Sequence, residues 1–382
     1  MKYRALGNTG LQVSEIGLGC EGFGENNCQE AKPLIDEAEK LGINYFDLYA
    51  SDPAVRSALG KALAERRKKF YLQAHLCSVW KNGQYERTRN IKEVKASFAD
   101  LLQRLQTAYL DVGMIHYCDS LSDWQEIVNG PVLAFALEQK KLGHIHHLGL
   151  SSHNPKVALA AVESGHIEVL MFSVNPCYDL QPPSETVEDL WADEAYSHKL
   201  VNMDPQRQKL YETCQTLGVG ISVMKAFGGG DLLDAELSPA GKALTAVQCI
   251  SYALTRPAVA TIMCGAHSVE QLRICASYEN ASEEEKDYAT ALASFPNISW
   301  KGHCTYCSHC APCPKKIDVA SVTKFLNLAL AQNTVPETVR DHYNLLEHHA
   351  GECVQCGACE KRCPFAVKII ENMKKAKAIF GK

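Results

Sequence analysis

A chain of 382 residues with 39 basic against 44 acidic side chains, net charge −5, has no electrostatic reason to seek nucleic acid or an anionic membrane. Its 46% hydrophobic and 22% charged residues are ordinary for a globular protein with a sizeable core. No run approaches the roughly 20 apolar residues of a membrane span, and the N-terminus lacks the apolar stretch of a signal peptide, so a cytoplasmic location is expected.

Short β-type runs at 15–18, 45–49, 70–76, 110–116, 146–152, 169–175, 220–226 and 259–265 alternate with helical patterns. The helical patterns cover 29–41, 53–66, 90–105, 124–142, 155–164, 206–217, 241–255 and 268–277. The strand runs are apolar and rich in Val, Ile and Leu, as in a parallel sheet buried on both faces. Alternation alone suits a doubly wound sheet as well; eight units favour an α/β fold of the (β/α)₈ TIM-barrel type. The barrel is expected over 1–280, a linker helix over 281–301 and a smaller ferredoxin-like unit over 302–382.

Chemistry in such a barrel belongs at the C-terminal strand ends. Those ends present Asp47 and Tyr49, His75, His116, Ser152 and His153, Asn175, Lys225, and Gly265. Residues two apart on a strand share a face, so Asp47 and Tyr49 point the same way. Three histidines, an aspartate and a lysine at one mouth exceed what packing alone asks for. A metal held by Asp47, His75 and His116 is a weaker alternative. The connection over 177–205, with its acids and aromatics, has no clear period and reads as a lid or binding loop.

Seventeen cysteines without a signal peptide argue for a reducing, oxygen-poor compartment and against a disulfide framework. Nine are scattered, from Cys20 and Cys28 to Cys275; eight form two runs. The first run is Cys304, Cys307, Cys310 and Cys313, followed by Pro314; the second is Cys353, Cys356, Cys359 and Cys363, followed by Pro364. The second has the C-x₂-C-x₂-C-x₃-C-P spacing of bacterial ferredoxins, whose last Cys serves the other cluster. Two [4Fe–4S] clusters are therefore expected, one on Cys304, Cys307, Cys310 and Cys363, the other on Cys353, Cys356, Cys359 and Cys313. Zinc would take two C-x₂-C pairs instead.

Several barrel segments resemble the aldo/keto reductase family: Gly17-Leu18-Gly19-Cys20, Phe46-Asp47 with Leu59-Gly60-Lys61 downstream, Leu110-Asp111-Val112 leading to His116, Gly149 to His153, and Met224-Lys225 before Gly228-Gly229-Gly230. The cysteine unit resembles the ferredoxin-like extension of one branch. The resemblance implies a carbonyl reductase with NADPH and an Asp–Tyr–Lys–His tetrad, in which the Tyr protonates the carbonyl oxygen. Asp47 and His116 match two members; Asp52 stands at the Tyr position and His75 at the Lys position. The adenosine-phosphate grip is also altered, with Cys275 at an Asn position and only His267 or Arg273 as cations. Ser152, His153, Asn175, Lys225 and Gly265 occupy cofactor-facing positions. The expectation is that NADP(H) is absent and the clusters, fed by a ferredoxin or flavodoxin-type donor, reduce or dehydroxylate a small oxygenated substrate. Asp47, Asp52, His75, His116 and Tyr49 would then serve catalysis and handle its protons. The alternatives are an NAD(P)H-dependent aldo/keto reductase and a non-enzymatic electron carrier.

Overall fold

Eight short strands with apolar residues on both faces need cover on both sides, and they find it by closing on themselves. In the computed structural model, which describes residues 1–23, 31–197, 200–332 and 334–382, they form a closed parallel barrel. Cys28 and the start of the helix expected over 29–41 lie outside the described residues. In chain order the strands are β1 (Ile16–Gly19), β2 (Tyr45–Leu48), β3 (Tyr71–Leu76), β4 (Leu110–Ile115), β5 (Ile145–Ser152), β6 (Val169–Ser173), β7 (Gly220–Met224) and β8 (Val259–Cys264). Each pairs with its neighbours in sequence, and β8 returns to β1. Every expected strand is present, with ends within two residues.

The helices around the barrel are α1 (Ala31–Leu41), α2 (Pro53–Leu63), α3 (Ile91–Arg104), α4 (Leu121–Asn129), α5 (Pro131–Lys141), α6 (Pro155–Glu163), α7 (Pro205–Leu217), α8 (Ala246–Leu254) and α9 (Val269–Ala276). The single helix expected over 124–142 is two, because Gly130 is extended and Pro131 starts a new helix at its first position. Side chains of Leu72, Leu148, Leu150 and Phe172 pack outward against the helices. Tyr45, Val112, Met114, Val169, Met171 and Met263 fill the barrel, and Leu6 and Val13 from an N-terminal hairpin close its lower end.

Past the barrel come α10 (Tyr288–Ala293), α11 (Val319–Leu330), α12 (Glu337–Asn344), α13 (Ala358–Arg362) and α14 (Ile369–Phe380). The linker is only partly helical: residues 283–286 form turns, and Ile298–Ser299 pairs with Leu200–Val201 of the long loop. That loop is built of 3₁₀ turns. Among the described residues no helix is long and apolar enough to cross a membrane.

Helix α2 shows how closely the outer layer fits. Asp52 caps it, Pro53 opens it, and Gly60 meets the end of α3 so closely that an added Cβ would lie 2.1 Å from the Arg104 carbonyl oxygen. That neighbour is backbone and cannot swing away. Gly60→Ala is therefore expected to lower the urea unfolding free energy by about 1–3 kcal/mol despite the better helix propensity of Ala. An unchanged or higher midpoint would show that α2 and α3 can separate without penalty.

Candidate active site

The C-terminal strand ends surround a cavity of about 230 Å³. Strand alternation sends every second side chain inward. Tyr45 and Asp47 on β2, and Gln73 and His75 on β3, therefore share the barrel interior. His116, just past β4, lines the same cavity. Asp47 and Gln73 are register partners, and Gln73 Nε2 donates to Asp47 Oδ1 at 2.6 Å. Gln73 Oε1 in turn accepts from Tyr45 at 2.8 Å and from Ser222 at 3.1 Å.

From Asp47 a chain of hydrogen bonds runs upward. His75 Nε2 lies 3.1 Å from Asp47 Oδ1, and His75 Nδ1 lies 2.8 Å from His116 Nδ1. His116 Nε2 then meets the Tyr85 hydroxyl. Asp47, His75 and His116 are each 5% exposed or less. With Asp47 ionised and both rings neutral, only one arrangement satisfies all the contacts. His75 Nε2–H donates to Asp47, His116 Nδ1–H donates to His75, and Tyr85 O–H donates to His116. Burial, followed by the neighbouring His75, holds the His116 pKa well below the usual imidazole value, so this ring is neutral at pH 7. Burial, with Tyr117 beside it, raises the Tyr85 phenol above its ordinary range.

Tyr85 comes from a hairpin that the sequence pattern did not lead us to expect. Ser78–Lys81 pairs with Gln84–Arg87 around Asn82-Gly83, both with positive φ (53° and 77°). Asn-Gly is the preferred pair for such a two-residue turn, and it was the available signal. Just beyond the hairpin, Arg89 donates to the His116 and Tyr117 carbonyls at 2.9 and 2.8 Å and pairs with Asp123 at 2.7 Å. The hairpin is thus anchored beside the end of β4.

The other anticipated residues divide. Tyr49 lines the cavity, its ring stacked 6.0 Å from His116. His153 lines it too, with Nδ1 2.8 Å from Asp119. Burial opposes the Asp119 charge, but the His153 contacts prevail and lower its pKa. Lys225, at φ 62°, reaches over the Trp191 ring, 5.8 Å from its centroid. Three assignments are corrected. Asp52 does not line the cavity; its carboxylate accepts from the Ala54 amide at 2.7 Å as the helix cap. Ser152 points away and donates to Asp119 at 3.0 Å, whereas Ser151, one residue earlier and of inward parity, faces the cavity with its hydroxyl unpartnered. Asn175 is fully buried and ties β6 to β7 through the Lys225 carbonyl at 2.9 Å. Gly265 lines a second cavity that shares Lys225 and Met263 with the first.

The model of the aldo/keto reductase family matches residues 15–244. The chain belongs to that family. It is 29% identical over 306 residues to the uncharacterized oxidoreductase YqkF of Bacillus subtilis (strain 168), covering 77% of this chain and 96% of that one. L-galactose dehydrogenase of Arabidopsis thaliana is 30% identical over 181 residues, 45% of this chain and 56% of that protein. The holo form of aldo-keto reductase AKR11C1 from Bacillus halodurans superposes with a TM-score of 0.60 at 25% identity, covering 76% of this chain and 96% of that one. The protein is an oxidoreductase.

The cofactor expectation is corrected. The aldo/keto reductase family normally uses NADP(H). Among the described residues no group of three or more His, Cys, Asp or Glu side chains is placed to hold a metal ion. Two [4Fe–4S] clusters are thus not supported, and the ferredoxin or flavodoxin-type donor loses its ground. Cys313, Cys353, Cys356 and Cys359 line one small pocket.

A depressed His116 pKa makes stability depend on pH in a defined sense. Below about pH 6.5 the unfolded chain takes up a proton on this ring that the folded chain refuses. The contribution is complete above pH 6.5 and is lost as the pH falls from there towards the folded value. Urea unfolding between pH 7.5 and 5 should show a steeper loss of stability for the native chain than for His116→Asn, by up to about 1.4 kcal/mol per pH unit. Parallel pH profiles would remove His116 as the neutral buried ring.

Proposed function

We propose that the protein is a nicotinamide-dinucleotide-dependent reductase of a small oxygenated carbonyl compound, with Tyr85 as the proton donor. The observation that carries this reading is the unbroken Tyr85–His116–His75–Asp47 chain, ending in a hydroxyl at the cavity.

The second cavity supports the cofactor. It measures about 320 Å³ and adjoins the first at Lys225 and Met263. Gly229 and Gly230 line it, and a Cβ on either would meet nothing within 4 Å, so their backbone leaves open room. Lys225, Gly229, Gly230, Gly265, His267 and Gln271 would hold the dinucleotide, and Ser151 offers an unpartnered hydroxyl in the first cavity. Arg273 is committed to Glu37 at 2.8 Å, which leaves Lys225 as the cation lining this groove, with the His267 imidazole beside it. When bound, the dinucleotide supplies hydride to the carbonyl carbon.

The chain's own residues supply the proton. When one proton taken up from solvent makes His75 an imidazolium against the Asp47 carboxylate, the His75–His116 and His116–Tyr85 hydrogen bonds reverse while His75 Nε2–H still donates to Asp47. Tyr85 then gives its proton to the substrate oxygen and recovers one from His116 Nε2, and His116 recovers one from His75 Nδ1. The chain returns to the neutral arrangement, with Asp47 still ionised. Asp47 and Gln73 act as positioning residues beneath it. Tyr85, His153 and Lys225 above a floor of Met171, Met224 and Met263 suit a hydroxylated substrate with an apolar edge. The likeness to L-galactose dehydrogenase favours a sugar or polyol derivative.

The division into a barrel (1–280), a connector (281–301) and a C-terminal unit (302–382) is part of this reading. It is supported by the packing of α11 against α12 and α14, and of α13 against α14. Ferredoxin-like ancestry of that unit rests on its cysteine spacing.

Fluorescence titration should show binding of NADPH or NADH, and a panel of sugar and hydroxy-acid carbonyls should show its oxidation. Tyr85→Phe should lower kcat by about 10²–10⁴ without changing dinucleotide affinity, whereas Tyr49→Phe should cost less than about tenfold. Failure of either dinucleotide to bind would sink the reading; the reverse order of the two variants would move the donor to Tyr49.

A further inference from the structure

Two thiols touch between β8 and α9, behind the wall of the groove proposed for the dinucleotide. Strand alternation turns Met263 into the barrel and Cys264 outward, into the layer packed against the helices. On α9 the buried positions are Leu272, Cys275 and Ala276, the three- and four-residue spacing of one helix face. Cys275 therefore meets β8, and the Cys264 thiol donates to its sulfur. Both are free thiols. Their access differs: Cys264 is wholly buried, whereas Cys275 is 7% exposed and lines the groove with Gly265, His267 and Gln271. The hydrogen bond from Cys264 lowers the Cys275 pKa against the opposing effect of burial, so Cys275 is the sulfur that ionises first. Cys249 on α8 is the next thiol, wholly buried.

A reachable sulfur with a second thiol in contact behind it is the arrangement of a reactive and a resolving cysteine. We propose that hydrogen peroxide entering the groove converts Cys264 and Cys275 into a disulfide that reversibly closes the groove to the dinucleotide. The Cys275 thiolate attacks one peroxide oxygen, the O–O bond breaks, and the departing hydroxide takes a proton to leave as water. Cys264 then attacks the sulfur of the sulfenic acid. The S–S bond forms, the S–O bond breaks, and the Cys264 proton leaves with the hydroxide as a second water. Two thiols lose two electrons in all, and one peroxide is reduced to two waters. A dithiol reductant reverses the change by thiol–disulfide exchange. A disulfide holds its sulfurs at about 2.05 Å, well inside the contact distance of two free thiols, so the bond draws α9 towards β8. Gly265, His267 and Gln271 belong to the connection and first helical turn between the two cysteines, and they move with it. The effect on the dinucleotide rests on the reading of the groove given above; the disulfide itself does not.

The test uses the full chain, with hydrogen peroxide as oxidant and the excess removed before measurement. Trypsin cuts after Arg273 but not between Arg256 and Pro257, so Cys264 and Cys249 fall on the peptide 243–273 and Cys275 on 274–286. Mass spectrometry after peroxide should show these two peptides linked, and dithiothreitol should separate them. The link should vanish in Cys264→Ala and persist in Cys249→Ala, which identifies the partner even if the first variant does not fold. NADPH affinity, by fluorescence titration, should fall about tenfold or more on oxidation and return with dithiothreitol, and bound NADPH should in turn oppose the link. Absence of the linked peptides, their survival in Cys264→Ala or their loss in Cys249→Ala would overturn the disulfide. A linked chain that binds NADPH as the reduced one does would overturn the closure. If the reduced chain itself binds no dinucleotide, the reading of the groove fails, and the peptide map alone decides the disulfide.

Discussion

A carboxylate inside an apolar barrel must be answered by donors, and Asp47 is answered twice. Gln73 beside it and His75 above it both direct N–H groups at the same oxygen, Oδ1. Without them the ionised form would carry the full cost of desolvation. Gln73 is itself fixed from the far side by Tyr45 and Ser222, so its amide cannot turn its oxygen towards the carboxylate. The charge at the base sets the tautomer of His75, and His75 sets that of His116. What faces the cavity is thereby decided some residues below it.

The composition of this chain changes what a proton donor has to be. In the family pattern a lysine next to the aspartate supplies a fixed positive charge that lowers the tyrosine pKa. An imidazole in that place can instead accept on one side and donate on the other, which turns a charge pair into a conduit. The consequence is that the tyrosine no longer has to sit next to the aspartate. It can come from wherever the second imidazole reaches, and here that is the hairpin after β3, fixed by Asn82-Gly83 and held by Arg89. With Tyr85 as the proposed donor, the two departures from the pattern, His75 for lysine and Asp52 for tyrosine, are one compensated change. Asp52 is freed to cap α2, a role in which a carboxylate is among the best residues.

The barrel was legible because its signal is repeated eight times; an error at one strand end changes little. The parity of strand residues was legible as well, and it placed Asp47 and Tyr49 correctly. Carried one strand further it would have given Gln73 with His75, and Ser151 in place of Ser152. What could not be read was any contact made across the mouth by a connection. The segment carrying Tyr85 falls between the runs at 70–76 and 90–105, and its four-residue strands leave little periodicity to count. The cysteine runs differ again. Their spacing predicts two clusters, but among the described residues no group of three or more His, Cys, Asp or Glu side chains is placed to hold a metal ion.

The two ends of the barrel thus differ in how their polar groups are satisfied. At the mouth every buried polar group in the relay has a partner, and the chain stops at a hydroxyl open to the cavity. At the lower end the pairing is incomplete: Arg256 commits its Nη2 to the C-terminal unit at Thr305 and leaves its other nitrogens unpaired. The same guanidinium also lies 4.5 Å from the Tyr252 ring centroid on the barrel and 5.5 Å from that of Tyr306 in the C-terminal unit, so its charge is met by ring faces from both parts and holds them together.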